Sequence, residues 1–387
     1  MDSSKQNFFL DLENRYSNIR RYNRGKININ PLQTAGKLTS NAEKALVEFG
    51  DGYSVCDFCK GTVEQIENPP IKHFLEKDLP EFIGADFVRI THGAREGKER
   101  IFRALTKPGD IIILDENRHY STDAAIQSTG LKEILVKNDG KDTKMINVKD
   151  YVPLIEQYNP SLIFLTYPDG TYGNLSDAKR LAEIAKKYNI PFIINGAYAI
   201  GRMPINMKEL GADFIIGSGH KSMASSGPIG VLGFDKKWEN KMTEKVNGHE
   251  KKEIGCLGCS VRGAPIITLM ASFPEVYKRV QDWSNEVEKA RWFSKEMEKL
   301  GLVQQGQKPH NHDLMYFKTD IFYEISNVHP KKRGFLYEKL KENGIVGVKH
   351  GVTKFIKIST FGIQKDDLKK VLNVFNMIIE NYKNKKL

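Results

Sequence analysis

Seven short apolar runs, each followed by turn residues and most then by a helical pattern, fill the chain between about residue 85 and residue 235. They are Phe87–Thr91, Asp110–Leu114, Glu133–Val136, Ser161–Thr166, Pro191–Asn195, Asp213–Gly217 and Ile229–Phe234. The runs are rich in Val, Ile and Leu and do not alternate with polar residues, which is how strands buried on both faces read. Between them apolar residues recur with a period near 3.6, as at Leu181, Ile184, Ala185 and Tyr188 behind the start signal Ser176-Asp177, or at Ile101, Phe102 and Leu105 ahead of Pro108-Gly109. Strands that take turns with helices predict an α/β fold with a mostly parallel sheet, and such sheets bind ligands beyond the carboxyl ends of their strands.

The pattern changes towards the carboxyl terminus. Pro274 is expected to end one helix, and a second, amphipathic helix then carries Val276, Val280, Trp283, Val287, Ala290 and Met297 on one face. After Gly301 come strands near Leu314–Phe317 and Phe355–Ser359 and lysine-rich helices at Arg333–Glu342 and Lys365–Tyr382, which predict a smaller α+β domain. The expected division is an amino-terminal arm (residues 1–50), a large ligand-binding domain (51–280) and a small domain (281–387). No run approaches the 18 to 20 or so apolar residues of a membrane span. The opening MDSSKQNFFLDLENRY has no basic segment leading into an apolar one, so a cytoplasmic protein is expected. The 59 Lys and Arg against 48 Asp and Glu leave +11, which admits a polyanionic partner without requiring one.

Polar residues cluster where the strands should end. Lys221 stands just past one strand, in Asp213-Phe-Ile-Ile-Gly-Ser-Gly-His-Lys-Ser-Met, among small residues that let a flat ligand approach. Ala94, Arg95 and Glu96 open a helix after Thr91-His-Gly, where backbone N–H groups and the positive end of the helix dipole suit a phosphate. His119 and Tyr120 follow the second strand, and His119 offers a ring for stacking. Asn174 and Asn195 follow at later strand ends, and Ser218 and His220 flank the lysine. In this order, phosphate loop, stacking ring, polar partners and lysine, the constellation resembles the fold-type I pyridoxal 5'-phosphate enzymes. That resemblance implies Asn174 against the cofactor's phenolic oxygen and Asn195 against its ring nitrogen.

The motifs THGAREGK, DENRHYS, FIINGAYAIG, SGHKSMASSGPIGVL and LGCSVRGAP, with INPLQTAGKLT and CDFCKGT nearer the amino terminus, resemble the archaeal O-phosphoseryl-tRNA:cysteinyl-tRNA synthase family along nearly the whole chain. The resemblance implies a transferase that replaces the phosphate of phosphoserine on tRNA(Cys) with sulfur by pyridoxal-phosphate-dependent β-replacement. It implies a homodimer whose partners are the charged tRNA and a sulfur donor, with phosphoseryl-tRNA synthetase as a further expected partner. Lys221 is then the cofactor-bearing lysine, Arg95, His119 and Tyr120 are active-site residues, and Cys56, Cys59 and Cys259 are the functional cysteines. Fold-type I enzymes commonly place an aspartate where this chain has Asn195, and an amide cannot hold the ring nitrogen protonated as a carboxylate does. A weaker electron sink fits a reaction with phosphate as its leaving group better than transamination.

All four cysteines fall in two C-x-x-C pairs, Cys56/Cys59 and Cys256/Cys259, too far apart in the chain for a single zinc finger with its spacing of about 15 to 20. Three readings stay open: a persulfide carrier, a disulfide formed as sulfur is reduced, or an iron-sulfur cluster on Cys56, Cys59 and Cys259. Three thiolates on a cluster would leave one iron free for sulfide. Cys256 is an extra thiol. Basic residues gather at Arg15, Arg20, Arg21, Arg24 and Lys26, with Tyr16 and Tyr22 among them, at Lys331–Arg333, and at Lys383–Lys386. Arg95 is the expected partner of the substrate phosphate, with Arg89, Arg118 and Arg262 as alternatives. Rival functions are a cysteine desulfurase or another small-molecule pyridoxal-phosphate lyase, and a non-catalytic iron-sulfur or tRNA-binding scaffold.

Overall fold

The computed structural model describes residues 3–16, 25–50, 71–256 and 263–384. Its centre is a seven-stranded sheet of β1 (Phe87–Thr91), β2 (Ile111–Asp115), β3 (Lys132–Val136), β4 (Leu162–Thr166), β5 (Phe192–Asn195), β6 (Phe214–Ser218) and β7 (Gly230–Phe234). The spatial order is β1-β7-β6-β5-β4-β2-β3, and only β7 runs antiparallel to its neighbours. Every residue of β4, β5, β6 and β7 is buried, as their unbroken apolar runs require. One face packs a core that includes Ile163, Leu165, Ile194 and Ile215, and the other a core that includes Ile112, Phe164, Ile193 and Phe214. Side chains that alternate along one strand thus enter opposite cores. Because β7 alone is reversed, Thr91, Asp115, Thr166, Asn195 and Ser218 all end their strands at the same edge of the sheet.

The small domain has its own core, with Phe293, Phe317, Phe322, Phe335, Ile356 and Phe375, around the antiparallel strands β8 (Val303–Gln305), β9 (Leu314–Lys318) and β10 (Phe355–Ser359). The amino-terminal arm crosses between the two. Ile27 and Asn28 pair in parallel with Ile345 and Val346, and Ile29 is buried in the small-domain core. Further on, the Ala35 carbonyl accepts the Ala224 N–H (3.2 Å) of the large domain.

Pro274 does not end its helix. It lies inside one helix, Gly263–Gln281, and the break comes at Asp282 before a second helix, Trp283–Lys299. Pro274 is on the exposed side while Ser272, Val276 and Val280 are buried, and the packing of that buried face holds the helix together. The helix Asp320–Val328 and strand β8 were not foreseen in the sequence. Among the described residues no helix is long and apolar enough to cross a membrane.

Candidate active site

Beyond the end of β6 the chain makes a single helical turn, Gly219–Ser222, that carries Lys221. Its footing is buried. Ser222 Oγ donates to the Ala197 carbonyl (2.9 Å), and Arg202 Nε donates to Ser222 Oγ (3.1 Å). Arg202, wholly buried, also donates Nη1 to Asp313 Oδ2 of the small domain (2.7 Å) and Nη2 to the Pro31 carbonyl of the arm (2.5 Å). One guanidinium therefore ties the lysine's turn to both the arm and the small domain. Lys221 Nζ lies 5.6 Å from the centre of the Tyr198 ring. Burial, and then the Arg202 charge, hold its ammonium below the usual lysine range.

Lys221 opens onto a narrow cavity whose walls include Ala94, Lys98, His119, Asn195, Ala197 and Tyr198. A more open cleft bounded by Phe82, Tyr167 and Tyr277 lies elsewhere and holds neither Lys221 nor His119. His119 caps the helix Tyr120–Thr129, its Nδ1 accepting the Ser121 N–H (3.2 Å). Burial, followed by the charges of Lys221, Lys98 and Lys357, pushes the His119 imidazole down to about 4. Tyr120 stacks obliquely on His119 with ring centres 4.4 Å apart but is itself 72% exposed. Asn195 is buried, and its Oδ1 takes only a long bond from the Ala197 N–H (3.4 Å).

Other residues expected at the site are placed differently. Asn174 is absent from the cavity wall; its Nδ2 donates to the Thr143 (2.9 Å) and Lys144 (3.0 Å) carbonyls, and its Oδ1 accepts the Gln307 N–H (2.8 Å). Its amide thus fastens loops together instead of facing a ligand. Glu96 turns its carboxylate onto the His92 N–H and ring (2.5 Å each). His220 borders the cleft beneath the arm, beside Thr34 and Gly36, and its Nδ1 sits 3.4 Å from Ser218 Oγ. Arg95 is exposed and pairs with Glu99 (3.1 Å). Arg89 is held by Glu253 (2.9 Å) and Arg118 by Asp123 (2.5 Å) and Glu133 (3.2 Å). Cys56, Cys59, Cys259 and Arg262 lie outside the described residues, as do Arg20, Arg21, Tyr22 and Arg24. Cys256 is half-buried 3.2 Å from Arg100 Nη1, with burial raising its thiol pKa.

Two lysines at the site escaped the sequence reading. Lys98, on the helix Ala94–Leu105, is 1% exposed and donates to Ser121 Oγ (2.8 Å) and Thr122 Oγ1 (2.9 Å). Lys357, from β10 of the small domain, donates to the Gly170 carbonyl. Burial lowers both, Lys98 to about 7 and Lys357 to about 8. A buried lysine within a helix has the same local spacing as a solvated one, so no signal in the sequence separates them.

The residues around the cavity fit pyridoxal phosphate. Gly93, at φ +87°, is the N-cap of the Ala94 helix and has no capping side chain, which leaves the first-turn amides open to an anion. The space there is shaped by glycine on both sides: a Cβ on Gly230 would lie 2.5 Å from the Gly93 carbonyl carbon. Lys221 supplies the amine, His119 and Ala197 line the cavity where a flat ring would be held, and Asn195 can donate to a ring nitrogen.

Residues 103–380 match the family described as O-phosphoseryl-tRNA(Sec) selenium transferase, SepSecS. A protein of Methanosarcina acetivorans named O-phospho-L-seryl-tRNA:Cys-tRNA synthase is 49% identical over 376 residues, covering 96% of this chain and 97% of its own. The Methanocaldococcus jannaschii protein of that name is 44% identical, over 95% of this chain and 100% of its own. Among solved structures, a SepCysS-SepCysE N-terminal domain complex superposes with a TM-score of 0.90 at 44% identity, covering 96% of this chain and 99% of that one. A cysteine desulfurase from Thermococcus onnurineus matches with a TM-score of 0.73 over 92% of this chain and 95% of its own, but at 17% identity, and shows the shared fold-type I architecture alone.

Proposed function

This chain belongs to the O-phospho-L-seryl-tRNA:Cys-tRNA synthase family, and from that membership we infer that it converts O-phosphoseryl-tRNA(Cys) to cysteinyl-tRNA(Cys), replacing phosphate with sulfur. The observation that carries the reading is Lys221, held at a strand end by Arg202 in a cavity that also contains His119 and Asn195. Bound pyridoxal phosphate supplies the electron sink that lets the substrate lose its Cα proton and then its phosphate. Lys221 would hold the cofactor through its amine and move the Cα proton; its lowered pKa leaves more neutral amine for both tasks. The amides of Ala94 and Arg95 would bind the cofactor phosphate, and Ser218 supports that end of the sheet. His119 would cover the ring, and Asn195 would face its nitrogen without protonating it.

Arg95 remains the nominated partner of the substrate phosphate, because its guanidinium is exposed even though it pairs with the buried Glu99, whereas Arg89 and Arg118 are more enclosed beside their carboxylates. Cys56, Cys59 and Cys259 would deliver sulfur, as the motifs around them suggest. A homodimer, a phosphoseryl-tRNA synthetase and a SepCysE-type protein are the proposed partners, the last because a relative 44% identical has been solved in such a complex. The desulfurase rival rests on fold likeness alone.

Single-turnover conversion of phosphoseryl-tRNA with sulfide tests the reading. Cysteinyl-tRNA should form, and Lys221→Ala should abolish both the product and the visible absorbance of bound cofactor. Equal reaction with free phosphoserine would instead favour a small-molecule lyase. Iron and sulfide analysis after anaerobic purification tests the cluster: an iron-free protein active with a persulfide donor removes it.

A further inference from the structure

Of the two ring nitrogens of His119, only Nδ1 has a hydrogen-bond partner among the described residues. Nδ1 accepts the Ser121 backbone N–H (3.2 Å) and lies 2.9 Å from Ser121 Oγ. That hydroxyl is in turn contacted by Lys98 Nζ at 2.8 Å, while Thr122 Oγ1 takes a second Lys98 proton at 2.9 Å. Charged or neutral, the Lys98 amine has a proton for each of these two contacts, so Ser121 Oγ accepts from Lys98 and its single proton is left for Nδ1. Two donors then converge on Nδ1, and the proton a neutral imidazole carries must sit on Nε2. Among the described residues Nε2 has no protein partner, although the ring lines the Lys221 cavity.

We propose that Lys98, acting through the Ser121 hydroxyl, holds His119 as the neutral Nε2–H tautomer, so that the ring offers a hydrogen-bond donor to an anionic oxygen of the departing substrate phosphate. Lys98 is a positioning residue in this scheme: it is buried behind the helix start and acts on the substrate through His119. Burial, followed by the charges of the lysines that face it, Lys221, Lys98 and Lys357, keeps the ring from taking a second proton. Those facing Lys98 are Lys221 and Arg95, which oppose its charge, and Asp115 and Asp123, which favour it. The proposal rests on the cavity being the active site for phosphoseryl-tRNA.

The test is nitrogen NMR of the holoenzyme with isotope-labelled histidine, the His119 signals being assigned by their loss in His119→Gln. Near neutral pH the expected pattern is an unprotonated Nδ1 and a protonated Nε2. Lys98→Met and Ser121→Ala should each shift the Nδ1 signal, Lys98→Met should also raise the pH at which His119 titrates, and Ser121→Thr, which keeps a hydroxyl, should restore the wild-type pattern. Ser121→Ala loosens the His119 donor without removing it, so kcat should fall by about ten- to a hundredfold, short of the roughly hundred- to thousandfold of a lost donor, with KM for phosphoseryl-tRNA changed by less than about twofold. A protonated Nδ1 in the wild-type enzyme, or unmoved His119 signals in Ser121→Ala, overturns the proposal. If Lys98→Met does not fold, the half-buried Ser121 still decides the matter. Failure of the parent reading looks different: the expected tautomer in a protein that cannot convert phosphoseryl-tRNA.

Discussion

Arg202→Met should weaken the seam between the two domains more than any single change on the surface. The wild-type guanidinium uses all three of its nitrogens, on Asp313 (2.7 Å), Pro31 (2.5 Å) and Ser222 (3.1 Å), and neither it nor Asp313 has any exposed side-chain surface. Methionine fills much of the same space, so the cost is electrostatic. Removing one partner of a buried ion pair leaves the other charge uncompensated and costs about 3 to 5 kcal/mol. At roughly 1.2 °C per kcal/mol for a chain of this length, from an unfolding entropy of about 2.1 cal/mol/K per residue, the melting temperature should fall by about 4 to 6 °C. Arg202→Met/Asp313→Leu, which removes both charges, should recover most of that loss. Activity carries a second signature. The Arg202 charge contributes to the lowered pKa of Lys221, so its removal raises that pKa and moves the rise of kcat with pH to higher pH. A loss below about 1 kcal/mol in the single variant, or a double variant no more stable than the single, would refute the reasoning.

Gly230→Ala places a methyl group 2.5 Å from both the Gly93 carbonyl carbon and Thr91 Oγ1, so it should destabilise the protein by about 1 to 3 kcal/mol and weaken cofactor retention in a dialysis assay. Asn195→Asp should slow the conversion, because a buried carboxylate replaces a neutral amide; a faster enzyme in single-turnover assays would show that the amide is not matched to the reaction. His312 is wholly buried, donates Nε2–H to the Tyr198 carbonyl (3.0 Å) and is pushed down to about 4, first by burial. Unfolded histidine takes up its proton near pH 6.5, so the His312 contribution, read by urea titration as the difference between wild type and His312→Gln, should be level above about pH 7.5 and fall as pH drops from about 6.5 towards 4. Affinity for tRNA should weaken steeply with added salt while cofactor retention barely changes; equal tRNA binding at low and high salt would contradict a phosphate-directed surface.

The seven sheet strands were legible to within about a residue because their apolar runs are continuous and sharply bounded by turns. Lys221, His119 and Asn195 could be singled out for the same reason: each lies at the end of such a run or a few residues beyond it, and parallel strands deliver their ends to one edge. Arg202 follows the same logic less openly, since a charged residue beyond Gly201 reads as a surface group until a second domain covers it. Lys98 and Lys357 were hidden because their burial depends on packing between elements far apart in sequence. Asn174 shows the converse, a polar residue at the right distance from a strand end whose amide is occupied by two neighbouring loops.

The arm's place between the two cores has a consequence for how the protein is made. Thr34 and Ser359, whose hydroxyls meet at 2.9 Å, are 325 residues apart in the chain. At about 5 to 20 residues per second, the ribosome needs roughly 16 to 65 s to go from one to the other. Until the last part of that interval Ile29 has no complete core to enter, and until Asp313 is made Pro31 has no Asp313-anchored arginine to meet. The central sheet can form during synthesis, but the lysine's turn gains its full set of supports only after nearly the last strand has left the exit tunnel. The catalytic pocket is thus a late product of biogenesis, and a chain truncated before β10 should yield a folded sheet without a finished site.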